Sequence, residues 1–141
     1  EVNQYMQTSC PAVFACGNVV HVNDLADNVS TESELAGTAA AQYAAGTLPA
    51  AEGFAHCLPG RGVRYVCPQH IAVHAGSCPV RLYFRVLSPG GKTNLRAVCG
   101  QQILAERTVL RVSPGEMEHL DLDAAELGNQ EIRVEAEEAE R

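Results

Sequence analysis

Residues 8–30, TSCPAVFACGNVVHVNDLADNVS, decide how this chain is read. The apolar run 12–15 (AVFA), bounded by Pro11 and Gly17, reads as a short buried strand. Gly17-Asn18 is a turn signal, and residues 19–29 form a polar loop holding His21, Asn23, Asp24, Asp27 and Asn28. A helix is expected over 30–45. Thr31 and Glu34 make an S/T-x-x-E capping box, Glu32 and Glu34 lie in the first turn, and Gly46 supplies the stop. A strand whose carboxyl end presents a Gly-Asn corner is where an open α/β sheet places a ligand. Gly17 would let the backbone approach that ligand, Asn18 could hydrogen-bond a sugar hydroxyl, and the helix would aim its positive end at a carbonyl or an anion.

The helix is built from small residues. Ala36, Gly37, Ala39, Ala40, Ala41 and Ala44 leave it almost without bulk, which suits an axis pressed close to a sheet or a cofactor. Such a helix buries little apolar area by itself and depends on a larger body around it.

The 141 residues are 46% hydrophobic and 19% charged, which is the composition of a folded chain. No apolar run approaches the roughly 20 residues that span a bilayer, and no membrane span is expected. The formal charge is −7, and every one of the ten basic residues lies at Arg61 or beyond. Without a basic cluster to neutralise phosphates, nucleic acid is not an expected partner. A phosphate bound by the first part would have to use backbone N–H groups and a helix dipole. The six cysteines (Cys10, Cys16, Cys57, Cys67, Cys78 and Cys99) contain no CxxC pair, and with no secretory signal a reducing cytoplasm is the expected location. Cys10 and Cys16 read as small residues flanking a strand, not as a redox dithiol. His70, His74 and Cys67 lack the spacing of a structural zinc site, so no metal is expected.

After a Pro- and Gly-rich stretch at 47–62, the pattern changes to short strands, expected at 63–67, 80–87, 95–99, 103–112, 118–123 and 132–134. Along VRLYFRV, Val80, Leu82, Phe84 and Val86 face one way, and Arg81, Tyr83 and Arg85 the other. Gly100 marks a hairpin turn, residues 113–117 (SPGEM) mark another, and the acidic end EAEEAER is expected to be solvated. The expected fold is therefore α+β: a strand–loop–helix piece (1–46), a linker (47–62) and a small antiparallel β-sandwich (63–141).

Residues 8–18, TSCPAVFACGN, resemble the second FAD motif of the pyridine-nucleotide–disulfide oxidoreductase flavoproteins, T-x-x-P-x-[I/V]-[F/Y]-A-x-G-D. Thr8, Pro11, Val13, Phe14, Ala15 and Gly17 match it position by position. ELAGTAAAQYAAG is similar to the small-residue helix that follows the motif in that family. The resemblance implies a piece of an FAD-binding Rossmann-like domain, with Gly17 and Asn18 at the ribityl–pyrophosphate region. It also implies that Asp27, Asn28 and Val29 bring the helix start near the flavin carbonyl. Asn18 departs from the family's acidic residue: it keeps a hydrogen-bonding side chain and loses the charge, which implies weaker ribityl binding. HVNDLADNVS resembles a branch of NAD(P)/FAD oxidoreductases in which a small β-domain ends the chain, and RLYFRV and SPGEME look like that appendage.

No GxGxxG occurs, so the fingerprints for FAD and NAD(P) would lie in a missing N-terminal part of the same polypeptide. The expected function is that of the C-terminal part of an FAD-dependent, NAD(P)-linked oxidoreductase, inactive on its own and with no catalytic residue assigned. The alternative is a non-catalytic module whose β-sandwich docks a partner subunit. His21 is expected to be a surface or hydrogen-bonding residue, Asp24 and Asp27 to orient the loop or cap the helix, and Arg81 and Arg85 to form a solvated face.

Overall fold

In the computed structural model, which describes residues 1–74, 79–125 and 127–139, the chain is a mixed α+β fold of mostly strands and one long helix. The strands are β1 (Gly53–Pro59), β2 (Val63–Cys67), β3 (His70–Val73), β4 (Pro79–Val86), β5 (Thr93–Cys99), β6 (Gln102–Val109), β7 (Glu118–Asp123) and β8 (Glu131–Glu138), and the helix is α1 (Ala26–Ala44). They form a five-stranded sheet, β3-β1-β8-β5-β6, and a three-stranded sheet, β2-β4-β7.

The period-2 pattern of β4 explains the packing. Val80, Leu82, Phe84 and Val86 are buried, and they meet Leu120 and Leu122 of β7 and Val63 and Val66 of β2 on the inner face of the small sheet. Ala55, Cys57, Ile71, Leu95, Ala97, Ile132 and Val134 face them from the large sheet. Phe84, fully buried, fills the middle. The β5–β6 hairpin turns at Gly100, whose φ of +58° fits the expected turn. Glu116 N–H donates to Ser113 O at 3.0 Å, closing the other expected turn.

Several expectations are corrected. The sandwich is not purely antiparallel, because β1 and β8 run parallel, His56 opposite Glu131 through Pro59 opposite Val134. Residues 53–59 are not linker: Ala55 and Cys57 point inward while Phe54 and His56 point out, an alternation hidden by the surrounding Pro and Gly. The short strand β3 was not expected either. The acidic end is also built in. β8 runs to Glu138 beside β5, with Val134 in the core and Glu137 paired to Arg61 at 2.6 Å. Residues 12–15 form no strand. The chain there folds into turns joined by isolated bridges, Val2 with Thr8 and Gln7 with Phe14, because no neighbouring strand runs alongside to extend the ladder.

The N-terminal part does not stand apart from the sandwich. Val2, Met6, Ala36 and Cys67 form a second apolar cluster on the outer face of the small sheet, with Phe14, Ala15, Cys16, Val20 and Tyr65 around it. Gln4 acts as a surrogate strand for β3: its amide donates to Ala72 O and accepts from Ala72 N–H, both at 2.7 Å. The loop and helix around Gly17 thus cover the outer face of the small sheet, while the first residues run along the β3 edge of the large one. No helix among the described residues is long and apolar enough to cross a membrane.

Candidate functional site

The helix starts earlier than the sequence suggests, at Ala26 with Leu25 as an N-cap that offers no side-chain hydrogen bond. The expected capping box is not formed. Ser30, Thr31 and Ser33 instead donate their hydroxyls to the carbonyls of Ala26, Asp27 and Val29, four residues back within the helix. The earlier start places Glu32 in the second turn, not the first, and there it faces inward. Glu32, Ala36 and Ala39 are the helix's buried residues, at the i, i+4, i+7 spacing of one face.

Glu32 is 1% exposed and organises the corner before it. One carboxylate oxygen accepts Gly17 N–H at 2.8 Å and the Asn23 amide at 3.4 Å; the other lies 2.5 Å from His21 Nε2. Burial alone would push the Glu32 carboxyl up, but hydrogen bonds from His21, Gly17 and Asn23, with the charge of His21, together hold it below the usual carboxylate value. Gly17 is buried, at φ +72°, a conformation open to glycine and strained for other residues. It begins a 3-10 turn, Gly17–Val19. Asn18 is exposed, and its Oδ1 accepts Asn23 N–H at 3.1 Å, folding the loop back on itself.

The small sheet grips this loop from below. The His21 ring lies edge-on to Tyr65, with centroids 5.7 Å apart, and 6.2 Å from Tyr83; its Nδ1 is 3.3 Å from the Tyr65 hydroxyl. Burial raises the Tyr65 phenol above its ordinary value. Arg85 donates to Val22 O at 2.9 Å and to Pro114 O at 3.1 Å, and lies 3.7 Å from Asp24. Asp24 accepts Met117 N–H at 3.2 Å. The solvated Arg81–Arg85 face is therefore half right. Arg81 is exposed and makes a bidentate pair with Asp121, whereas Arg85 is buried because the loop lies over it.

Of the residues singled out in the sequence, Gly17 and Val29 come together: a methyl group on Gly17 would touch Val29 Cγ1 at 3.4 Å. Asp27 and Asn28 occupy the first turn of α1, and Asn28 N–H donates to Leu25 O at 3.2 Å. Asp27 is exposed and does not cap the helix; Asp24 does orient the loop. His21 is the hydrogen-bonding residue, not the surface one. The buried pair of His21 and Glu32 was missed in the sequence, although Glu32 standing in line with Ala36 and Ala39 was its available signal. The five described cysteines are free thiols, and Cys78 lies outside the described residues.

The corner combines a buried left-handed glycine whose N–H is held by Glu32, an exposed Asn18 amide beside it, and a helix N-terminus without a side-chain cap. Apolar side chains around it are open, including Val19 at 81%, Val22 at 66% and Leu25 at 60% exposure. No family model matches the chain, and neither a curated protein nor a solved structure is significantly similar to it.

Proposed function

We propose that this chain is part of an FAD-dependent, NAD(P)-linked oxidoreductase in which residues 1–46 complete the FAD site. The observation that carries the reading is the matched run Thr8–Gly17 ending in a left-handed, buried glycine that Glu32 holds in place. Gly17 would allow the close approach of a ribityl or pyrophosphate group. Asn18 would donate its amide to a sugar hydroxyl, with its Oδ1 already engaged by Asn23. The uncapped first turn, with Asp27, Asn28 and Val29, would place N–H dipoles toward a ring carbonyl. FAD, when bound, supplies hydride and electron exchange with a nicotinamide. The protein's share is orientation: His21, Glu32 and Arg85 fix the loop against the small sheet, so that the corner is formed before a ligand arrives.

The small-residue helix supports the same reading. Leu35 and Tyr43 are about two-fifths exposed, and most of α1 is open on the side away from the sheet. That face suits the nucleotide-binding units of a longer polypeptide. The product of the complete gene should purify yellow, release FAD on denaturation, and bleach when NADH or NADPH is added. A colourless product that takes up no FAD overturns the proposal and favours a module whose β-sandwich docks a partner subunit.

A further inference from the structure

We propose that His56 and His70 form a binding site for a divalent transition-metal ion of the imidazole-preferring class, copper(II) and zinc foremost, with Glu1 as the carboxylate behind His70. The site is separate from the Gly17 corner and does not rest on the flavin reading. His56 and His70 are direct partners across the antiparallel β1–β3 pair. Because Ala55, Cys57 and Ile71 face the core, both imidazoles stand on the outer face of the large sheet. Their Nδ1 atoms are 3.1 Å apart. Two nitrogens that share a tetrahedral zinc at about 2.0–2.1 Å lie roughly 3.3 Å from each other. A square-planar copper site brings neighbouring nitrogens to about 2.9 Å. The observed separation falls between these two geometries; the Nδ1 atoms face each other in the metal-free pair, and binding would swing both rings so that their lone pairs converge on the ion.

The tautomer is suited as well. Glu1 Oε2 lies 2.7 Å from His70 Nε2, and a carboxylate there requires the proton to sit on Nε2. Nδ1 of His70 is left with its lone pair directed at His56. Without metal, His56 Nδ1–H donates to that lone pair. With metal, the His56 proton moves to Nε2, and both Nδ1 lone pairs bind the ion with no net proton loss from the neutral rings. A carboxylate behind a ligating histidine raises its basicity and fixes its orientation. The pair opens on a pocket of about 590 Å³ whose wall carries Asn3, Gln7, Thr8 and Ser9, which leaves room for water in the remaining positions. No group of three or more His, Cys, Asp or Glu residues is arranged for one ion among the described residues. The site therefore offers two protein donors and keeps open, exchangeable positions.

The 141-residue chain, free of any histidine tag, should be titrated separately with copper(II) chloride and zinc chloride at pH 7.5 by calorimetry. One saturating equivalent per chain is expected, with copper tighter than zinc. His56→Ala and His70→Ala should each weaken binding more than tenfold, and Glu1→Gln about tenfold. Electron paramagnetic resonance of the copper form of the unsubstituted chain should show coupling to two imidazole nitrogens, which decides the matter even where a variant fails to fold. Absence of saturable binding, unchanged affinity in the double variant, or a spectrum with thiolate ligation from Cys10 would overturn the site.

Discussion

Glu32→Ala tests the central structural claim, that one buried carboxylate holds the Gly17 corner. The substitution removes two well-formed hydrogen bonds at once, from Gly17 N–H at 2.8 Å and His21 Nε2 at 2.5 Å, together with the longer one from Asn23. Water cannot easily replace the lost acceptor, because Glu32 is 1% and His21 8% exposed. A buried donor left without a partner costs about 1–3 kcal/mol, and here Gly17 N–H and His21 lose theirs together. We expect a loss of about 3–5 kcal/mol in urea unfolding followed by circular dichroism. At about 1.4 kcal/mol per factor of ten, the Gly17 amide should exchange with deuterium at least a hundredfold faster. Glu32→Gln, which keeps an acceptor for Gly17, should lose only about 1–2 kcal/mol. The pH dependence follows from the lowered pKa of Glu32 in the fold. Between the folded and unfolded values the unfolded chain binds the extra proton, so this contribution is complete above the ordinary carboxylate range. It is lost as pH falls through the folded value. Glu32→Gln should flatten that acid limb. A Glu32→Ala variant within about 0.5 kcal/mol of the parent, a surface-like effect, with unchanged Gly17 exchange, would refute the reasoning.

Arg85→Ala should cost about 1–3 kcal/mol and speed exchange at Asn23 and Met117, since it frees the carbonyls of Val22 and Pro114 and loosens Asp24; Arg85→Lys should recover only part, a point charge being unable to span both carbonyls. Gly17→Ala should destabilise by about 1–2 kcal/mol through its left-handed backbone, whereas Gly37→Ala, mid-helix with nothing within 4 Å, should stabilise by about 0.5–1 kcal/mol, both read from denaturant midpoints. Iodoacetamide at neutral pH should modify exposed Cys10 first and spare Cys57 and Cys67, whose thiols burial pushes up to about 12; mass spectrometry showing equal labelling would refute this. His119, lowered by burial and then by Arg107 and Arg81, should titrate in NMR below the ordinary imidazole value.

The residues alone determined the elements whose burial is local in pattern. The alternation of Val80, Leu82, Phe84 and Val86 against Arg81, Tyr83 and Arg85 set the strand, and Gly100 set the hairpin, because a strand's two faces follow from the period-2 backbone. The run of small residues after Asp27 likewise set a helix, though not its first residue. What lies far apart in sequence was decided only by tertiary structure. β1 became a strand because β3 and, in parallel, β8 flank it, and the acidic end became part of a central strand because Arg61 and Arg96 receive its outward carboxylates. Arg85 and His21 read as solvent-facing from their own neighbours, yet each is buried by the other's segment packing over it. The same holds for His56 and His70, which are separated by a strand and two turns and meet only through register. Periodicity reports how a segment faces a core, and it carries no record of which distant segment covers its other side.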